Sequence, residues 1–282
     1  MKKIITFIVF FLLTCNFQTS AEEPITINMV FVPASEKGDD KDYINLIKII
    51  NDLTGYIINP IKVTDYNAAV ESMRADRAQI AWFGGKTYIV AAEIANAEAF
   101  AAGIRKGDSD ASYFAYFVVR SDSPYKTLSD LKGKTLALNS IGSTSGDLIP
   151  QVELIKNNLT LDDFSNVFYA GSHDACLMSV INKHADVCGM SSRNYDARLK
   201  DGLFKETDVR IVHTSDPVPP PPLAYSKNLP ETVRTNIKEA VLNAHKYGTI
   251  GGYGGEMERY ISVDDKDYDL LREVDKLIRS SE

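Results

Sequence analysis

From residue 25 onward the chain alternates short runs of β-branched and aromatic residues with stretches whose apolar positions recur at helical spacing, the pattern of an α/β fold. Residues 25–31 read as a strand. Tyr43, Leu46, Ile47, Ile50 and Leu53 fall on one helix face, and Gly55 supplies a stop. A strand over 57–64, a helix over 65–75 with Ala69, Val70 and Met73 on one face, and a strand over 79–83 follow. The turn Gly84-Gly85 then opens a helix that runs through Asn96. A second series repeats the first: a strand over 113–120, a short helix with turns in "SDSPYKTLSDLKGK", and strands over 136–139, 167–170, 186–190 and 210–213. Helices over 173–184 and 194–200 alternate with these strands.

In "SDPVPPPPLAYS" four consecutive prolines, Pro219 to Pro222, force an extended path and read as a crossover or hinge. Helices over 231–246 and 267–279 close the chain, with "GTIGGYGGE" between them as a flexible link. The pattern implies a first lobe over 24–118, a second over 119–215, and a return to the first over 216–282. Ligands of open α/β sheets sit at the carboxyl ends of strands, so the cleft between the lobes is the expected site.

Composition narrows the class. Of the 282 residues, 44% are hydrophobic and 24% charged, which excludes a disordered chain. Lys2 and Lys3, the apolar run 4–13 and the small residues Thr19 and Ala21 have the layout of an export signal over 1–21. That run is shorter than the ~20 residues a membrane-spanning helix needs. Leu12-Leu13-Thr14-Cys15 also resembles a lipobox, so cleavage leaves either a soluble protein or one anchored through acylated Cys15 in the periplasm or cell envelope. The formal charge of −7 becomes more negative when both lysines leave with the signal, which makes nucleic acid and anionic membranes poor partners. Export permits a disulfide between Cys176 and Cys188, but two small buried apolar residues are the expected reading. No CxxC and no His at ligand spacing point to a metal, and no cofactor motif is present.

"IGSTSGDLIP" places Ser143, Thr144, Ser145 and Gly146 where a strand hands over to a helix. The first amides of a helix lack intrahelical acceptors and carry partial positive charge, so a tetrahedral oxyanion fits there, and three hydroxyls add donors. Capping alone needs one hydroxyl. Gly84-Gly85 offers a second amide cluster from the other lobe. His173 opens a helix in "GSHDA", and Tyr66 and Tyr113 are amphipathic aromatics, commonly core residues. A Ser/His hydrolase is disfavoured: no GxSxG elbow is present, and Asp174 adjoins His173 in sequence, poorly placed to orient it.

Several ordered segments carry a resemblance over residues 27–229: "TDYNAAVESMRADRAQIAWFGG", the Tyr113 strand, "LSDLKGKTLALNSIGSTSGDLIP", "AGSHDACLMSVINKHADV" and "DPVPPPPLAYSKNLP". Together they resemble the substrate-binding proteins of phosphate, phosphite and phosphonate ABC transporters. The resemblance implies a type II periplasmic-binding-protein fold whose two lobes close on the ligand. It implies a monomer with no enzymatic activity that delivers its ligand to a membrane permease, or a ligand sensor of the same fold. It places phosph(on)ate oxygens on Ser143, Thr144, Ser145 and His173, and matches Tyr66 and Tyr113 to ligand-contacting aromatics. Members that bind an aminoalkyl phosphonate hold its ammonium with two carboxylates, at positions occupied here by Arg193 and Pro221. An ammonium facing Arg193 in a partly desolvated cleft costs on the order of several kcal/mol, so the expected ligand lacks a cationic tail.

Overall fold

The computed structural model describes residues 23–34 and 43–281; the signal expected over 1–21, with Cys15, lies outside the described residues. Twelve strands form two sheets of mixed direction among the described residues. The first is built from β1 (Thr26–Phe31), β2 (Ile57–Lys62), β3 (Ile80–Trp82), β4 (Ala97–Arg105), β10 (Pro222–Ser226), β11 (Ile250–Gly252) and β12 (Gly255–Ser262), in the order β11-β12-β4-β10-β3-β1-β2. The second holds β5 (Ala115–Arg120), β6 (Thr135–Leu138), β7 (Asn166–Tyr169), β8 (Val187–Ser191) and β9 (Val209–Thr214), in the order β7-β6-β8-β5-β9. In each sheet the βαβ units pair in parallel, and the strands that enter from a crossing pair antiparallel. This is a two-lobe α/β fold in which the chain leaves the first sheet after β4 and returns as β10.

Helices pack where the apolar spacing places them. α1 (Ile44–Thr54) buries Leu46, Ile47, Ile49 and Ile50 and ends at Gly55 in the left-handed conformation. α2 (Tyr66–Arg74) is capped by Asp65, whose carboxylate accepts from the Ala68 amide. α3 (Gly85–Ile94), α4 (Ile149–Lys156), α5 (His173–Ile181) and α6 (Ser192–Lys200) each begin directly after a strand or a strand-to-helix turn. α7 (Glu231–Asn243) and α8 (Asp269–Ser281) return to the first lobe. The core of that lobe also takes in Leu148, Ile149 and Val152 from the second, so one apolar cluster reaches across the cleft.

Three features depart from the pattern reading. β4 goes unmarked in sequence because "AEAFAAGIR" is alanine-rich, with Ile104 its one β-branched residue and no alternation; its residues are buried on both faces inside the sheet. "GTIGGYGGE" is not a flexible link but the β11–β12 hairpin, whose Tyr260 hydroxyl donates to the Gly251 carbonyl at 2.9 Å. Residues 115–118, assigned by pattern to the first lobe, lie on β5 and pair with β8 and β9 of the second.

Cys176 and Cys188, expected as two unlinked apolar residues, are joined as a disulfide. The first turn of α5 packs on β8 and brings their Cα atoms to 5.7 Å, a separation that a disulfide spans.

The two crossings run side by side at the hinge. Tyr113 and Val218 pair as an isolated antiparallel bridge, with Val218 N–H donating to the Tyr113 carbonyl at 2.8 Å. That pairing sets Tyr113 and Pro221 at the floor of the cleft.

Candidate functional site

A small cavity lies between the lobes where the carboxyl ends of β1, β3, β6 and β7 meet. The first lobe contributes Val32, Ala34, Tyr66, Trp82, Gly84 and Tyr253; the second contributes Ser143, Thr144, Ser145 and His173; the crossings supply Tyr113 and Pro221. The cavity is small, about 10 Å³, the space of about one ordered water. Among the described residues none that lines it is Asp, Glu, Lys or Arg, and no group of His, Cys, Asp and Glu could hold a metal ion.

The hydroxyl motif forms a single π-helical turn, Thr144–Leu148, that continues into α4. Ser143 caps it, accepting from the Gly146 amide at 3.1 Å, and its Oγ also accepts from Asn139 Nδ2 at 3.1 Å. The amides of Thr144 and Ser145, first in the turn, have no intrahelical acceptor. Gly146 is required by close approach, since a Cβ there would lie 2.3 Å from the Asn139 Cβ and 3.0 Å from the His173 ring. Ser143, Thr144 and Ser145 are all buried, and the Tyr113 side chain lies beside those of Ser145 and Thr144. Burial raises the Tyr113 pKa and keeps it a neutral phenol.

His173 is 1% exposed, at the first position of α5, behind the Ser172 cap. Its Nδ1 accepts from the Ser191 amide at 3.3 Å, which leaves the proton of the neutral ring on Nε2. Burial pushes its pKa down to about 3, so the imidazole is uncharged in the physiological range. It enters the cavity as a neutral donor.

The second amide cluster has a different occupant. Lys86 N–H, in the first turn of α3, donates to Thr144 Oγ1 at 2.9 Å, and Thr87 Oγ1 donates to the Gly142 carbonyl at 2.9 Å. Lys86 Nζ pairs with the buried Asp147 at 2.8 Å, and the same carboxylate accepts from Gln151 Nε2 and the Tyr169 hydroxyl. These bonds cross from lobe to lobe, so the α3 terminus grips the hydroxyl motif itself. Gly84 faces the cavity, whereas Gly85 is turned against Leu271, whose Cδ1 would lie 2.4 Å from a Cβ at that position.

Arg193 does not reach the cavity. It is 2% exposed, lies behind Tyr113 with its guanidinium carbon 5.8 Å from the ring centroid, and donates from Nη2 to the carbonyls of Ala111 at 2.8 Å and Gly103 at 3.3 Å. Burial lowers its pKa, with Asp108 opposing the shift. The expectation that Arg193 faces a ligand tail is therefore corrected: α6 starts on the hinge side of β8 and carries Arg193 into the crossing. Pro221, the other departure from the aminoalkyl pattern, does line the cavity.

Sequence reasoning missed Trp82 and Tyr253. Trp82 ends β3 inside the quoted "QIAWF", and Tyr253 sits at the tip of the β11–β12 hairpin, their rings 4.8 Å apart. An aromatic isolated among glycines in "GGYGG" was the available signal. Asn139, fully buried after β6, was also missed; it links Ser143 to the Tyr66 hydroxyl, 3.4 Å from its Nδ2.

With this geometry in hand, the comparisons are consistent with one another. The family model described as "ABC transporter, phosphonate, periplasmic substrate-binding protein" matches residues 29–268. The chain is similar to the phosphonates-binding periplasmic protein of Escherichia coli, 30% identical over 197 residues, 68% of this chain and 58% of that protein. It is also similar to the phosphate-import protein PhnD of Mycolicibacterium smegmatis, 28% identical over 279 residues, 91% of this chain and 87% of that one. Among solved structures, PhnD1 from Prochlorococcus marinus in complex with methylphosphonate superposes with a TM-score of 0.80 at 20% identity, covering 91% of this chain and 99% of that one. The match thus spans under two thirds of the length of the Escherichia coli relative.

Proposed function

The chain belongs to the family of periplasmic substrate-binding proteins of phosphonate ABC transporters, and on that premise we propose that it captures a small tetrahedral phosphorus oxyanion without a cationic tail and delivers it to a membrane permease. The observation that carries this reading is the division of labour in the cavity. The second lobe presents hydroxyls, helix-start amides and a neutral imidazole, while the first presents mainly aliphatic carbon and aromatic rings. Three oxygens of a phosphonate or phosphite match the first face. A small apolar substituent on phosphorus matches the second.

An ammonium tail finds no carboxylate on the lining among the described residues, and the buried Asp147 behind the hydroxyl motif is already paired with Lys86. Relatives named for phosphate import, or solved with methylphosphonate, support the same chemical class. Among the described residues of the lining no nucleophile is paired with a base, and capture without turnover is the fitting activity.

Calorimetric titration of the mature protein with methylphosphonate, phosphite, phosphate, sulfate and 2-aminoethylphosphonate tests this. Saturable one-to-one binding of methylphosphonate or phosphite is expected, with 2-aminoethylphosphonate failing to bind. Tight binding of 2-aminoethylphosphonate would overturn the assignment.

A further inference from the structure

We propose that the cradle is oriented to donate only, that Asn139 fixes this polarity, and that the protein therefore takes its ligand as the fully deprotonated anion and rejects the protonated form. This rests on the reading of the ligand as a phosphorus oxyanion.

A hydroxyl has one hydrogen and two lone pairs. Both lone pairs of Ser143 Oγ are filled from within its own lobe, by Asn139 Nδ2 and by the Gly146 amide, each at 3.1 Å. Its hydrogen must point elsewhere. Thr144 Oγ1 accepts from Lys86 N–H at 2.9 Å, and His173 Nδ1 accepts from Ser191 N–H at 3.3 Å. In each case a protein N–H consumes acceptor capacity, completely at Ser143 Oγ and His173 Nδ1 and by one lone pair at Thr144 Oγ1, which biases the set toward donating into the cavity.

Asn139 is the common element. Its Nδ2 spends both hydrogens on Ser143 Oγ and the Tyr66 hydroxyl, while its buried Oδ1 meets no donor among the described residues. The opposite amide orientation would strand two buried N–H hydrogens instead of one carbonyl oxygen, a larger loss. With no carboxylate among the described residues of the lining, a P–OH group would set a donor against donors, whereas a fully ionised ligand gives every donor an acceptor.

The groups around the cavity do not supply a competing titration. His173 is held at about 3 by burial, and burial raises Tyr113; Tyr66 and Tyr253 are the other ionisable side chains on the lining. Behind them, Lys86 is paired with Asp147, Arg198 lies 3.2 Å from Asp174, and Arg193 is turned to the hinge carbonyls.

The test is methylphosphonate affinity by calorimetry between pH 6 and 9, with the full mature chain. Affinity should fall about tenfold per pH unit below the second ionisation of the ligand and level off above it. A flat profile, or tighter binding toward acid, would overturn the inference. Asn139→Asp places an acceptor against Ser143, turns its hydroxyl away from the ligand, and should weaken binding about thirtyfold at pH 8.5 while flattening the profile. Should that variant not fold, Asn139→Ala removes the donor without adding charge and should give a shallower slope; the full wild-type slope in either variant removes Asn139 from the role. Failure of methylphosphonate, phosphite and phosphate to bind at any pH would instead overturn the functional reading, and this inference with it.

Discussion

His173 shows how far a single residue is decided by its surroundings. In sequence it is a histidine at a helix start, where a protonated, solvated ring is as natural as a buried one. The fold buries it, gives Nδ1 a backbone donor and keeps it neutral. A depressed basic pKa has a definite sign in stability. The unfolded imidazole takes a proton below about 6.5 and the folded one only near 3, so stability contributed above that window is lost as pH falls through it, by at most about 1.4 kcal/mol per unit. Thermal melts at pH 7 and 4.5 should show His173→Gln losing less stability on acidification than the wild type; parallel losses would mean that the ring is not buried neutral. Arg193 is the opposite case. Its charge was legible, but its direction was not, because a long side chain at the start of α6 reaches either the cleft or the hinge, and only packing against Tyr113 selects the hinge.

At the scale of elements, the strand-to-helix handovers were largely readable, because apolar spacing and caps such as Ser143 and Ser172 are local signals. β4 and the β11–β12 hairpin were not, because alanine and glycine carry little β propensity and their pairing depends on neighbours far along the chain. The contact between α3 and the hydroxyl turn belongs to this scale as well. Lys86 and the buried Asp147 make an ion pair across the cleft beside Thr144, so the contact that joins the lobes also holds the hydroxyl turn. Lys86→Met leaves Asp147 buried without its cation, which costs ~3–5 kcal/mol in sites of this kind. The cost falls on the closed arrangement. The variant should therefore bind methylphosphonate at least about tenfold more weakly, through faster dissociation, and small-angle scattering should show a larger radius of gyration. Unchanged dissociation would show that the pair does not govern closure.

For the whole molecule, the hinge sets how the lobes meet, and Arg193 ties α6 of one lobe to Gly103 on β4 of the other and to Ala111 in the crossing. Arg193→Met should lower the melting temperature and weaken ligand binding, yet leave 2-aminoethylphosphonate rejected, if the proposed discrimination rests on a lining whose described residues include no carboxylate. Recovery of aminoalkyl binding in that variant, read by calorimetry, would instead place Arg193 in the cleft. The sequence by itself determined the alternation of strands and helices, the two-lobe plan with extended crossings at the prolines, and the hydroxyl-rich helix start, because each is written in neighbouring residues. Tertiary structure alone decided that Tyr66, Gly84, Tyr113, Ser143 to Ser145 and His173 share one cavity with Trp82 and Tyr253. It also decided that Arg193 stays out, that Cys176 meets Cys188, and that Asn139 and backbone amides orient the donors. Those outcomes depend on distances between segments tens to hundreds of residues apart. Local patterns carry no record of them.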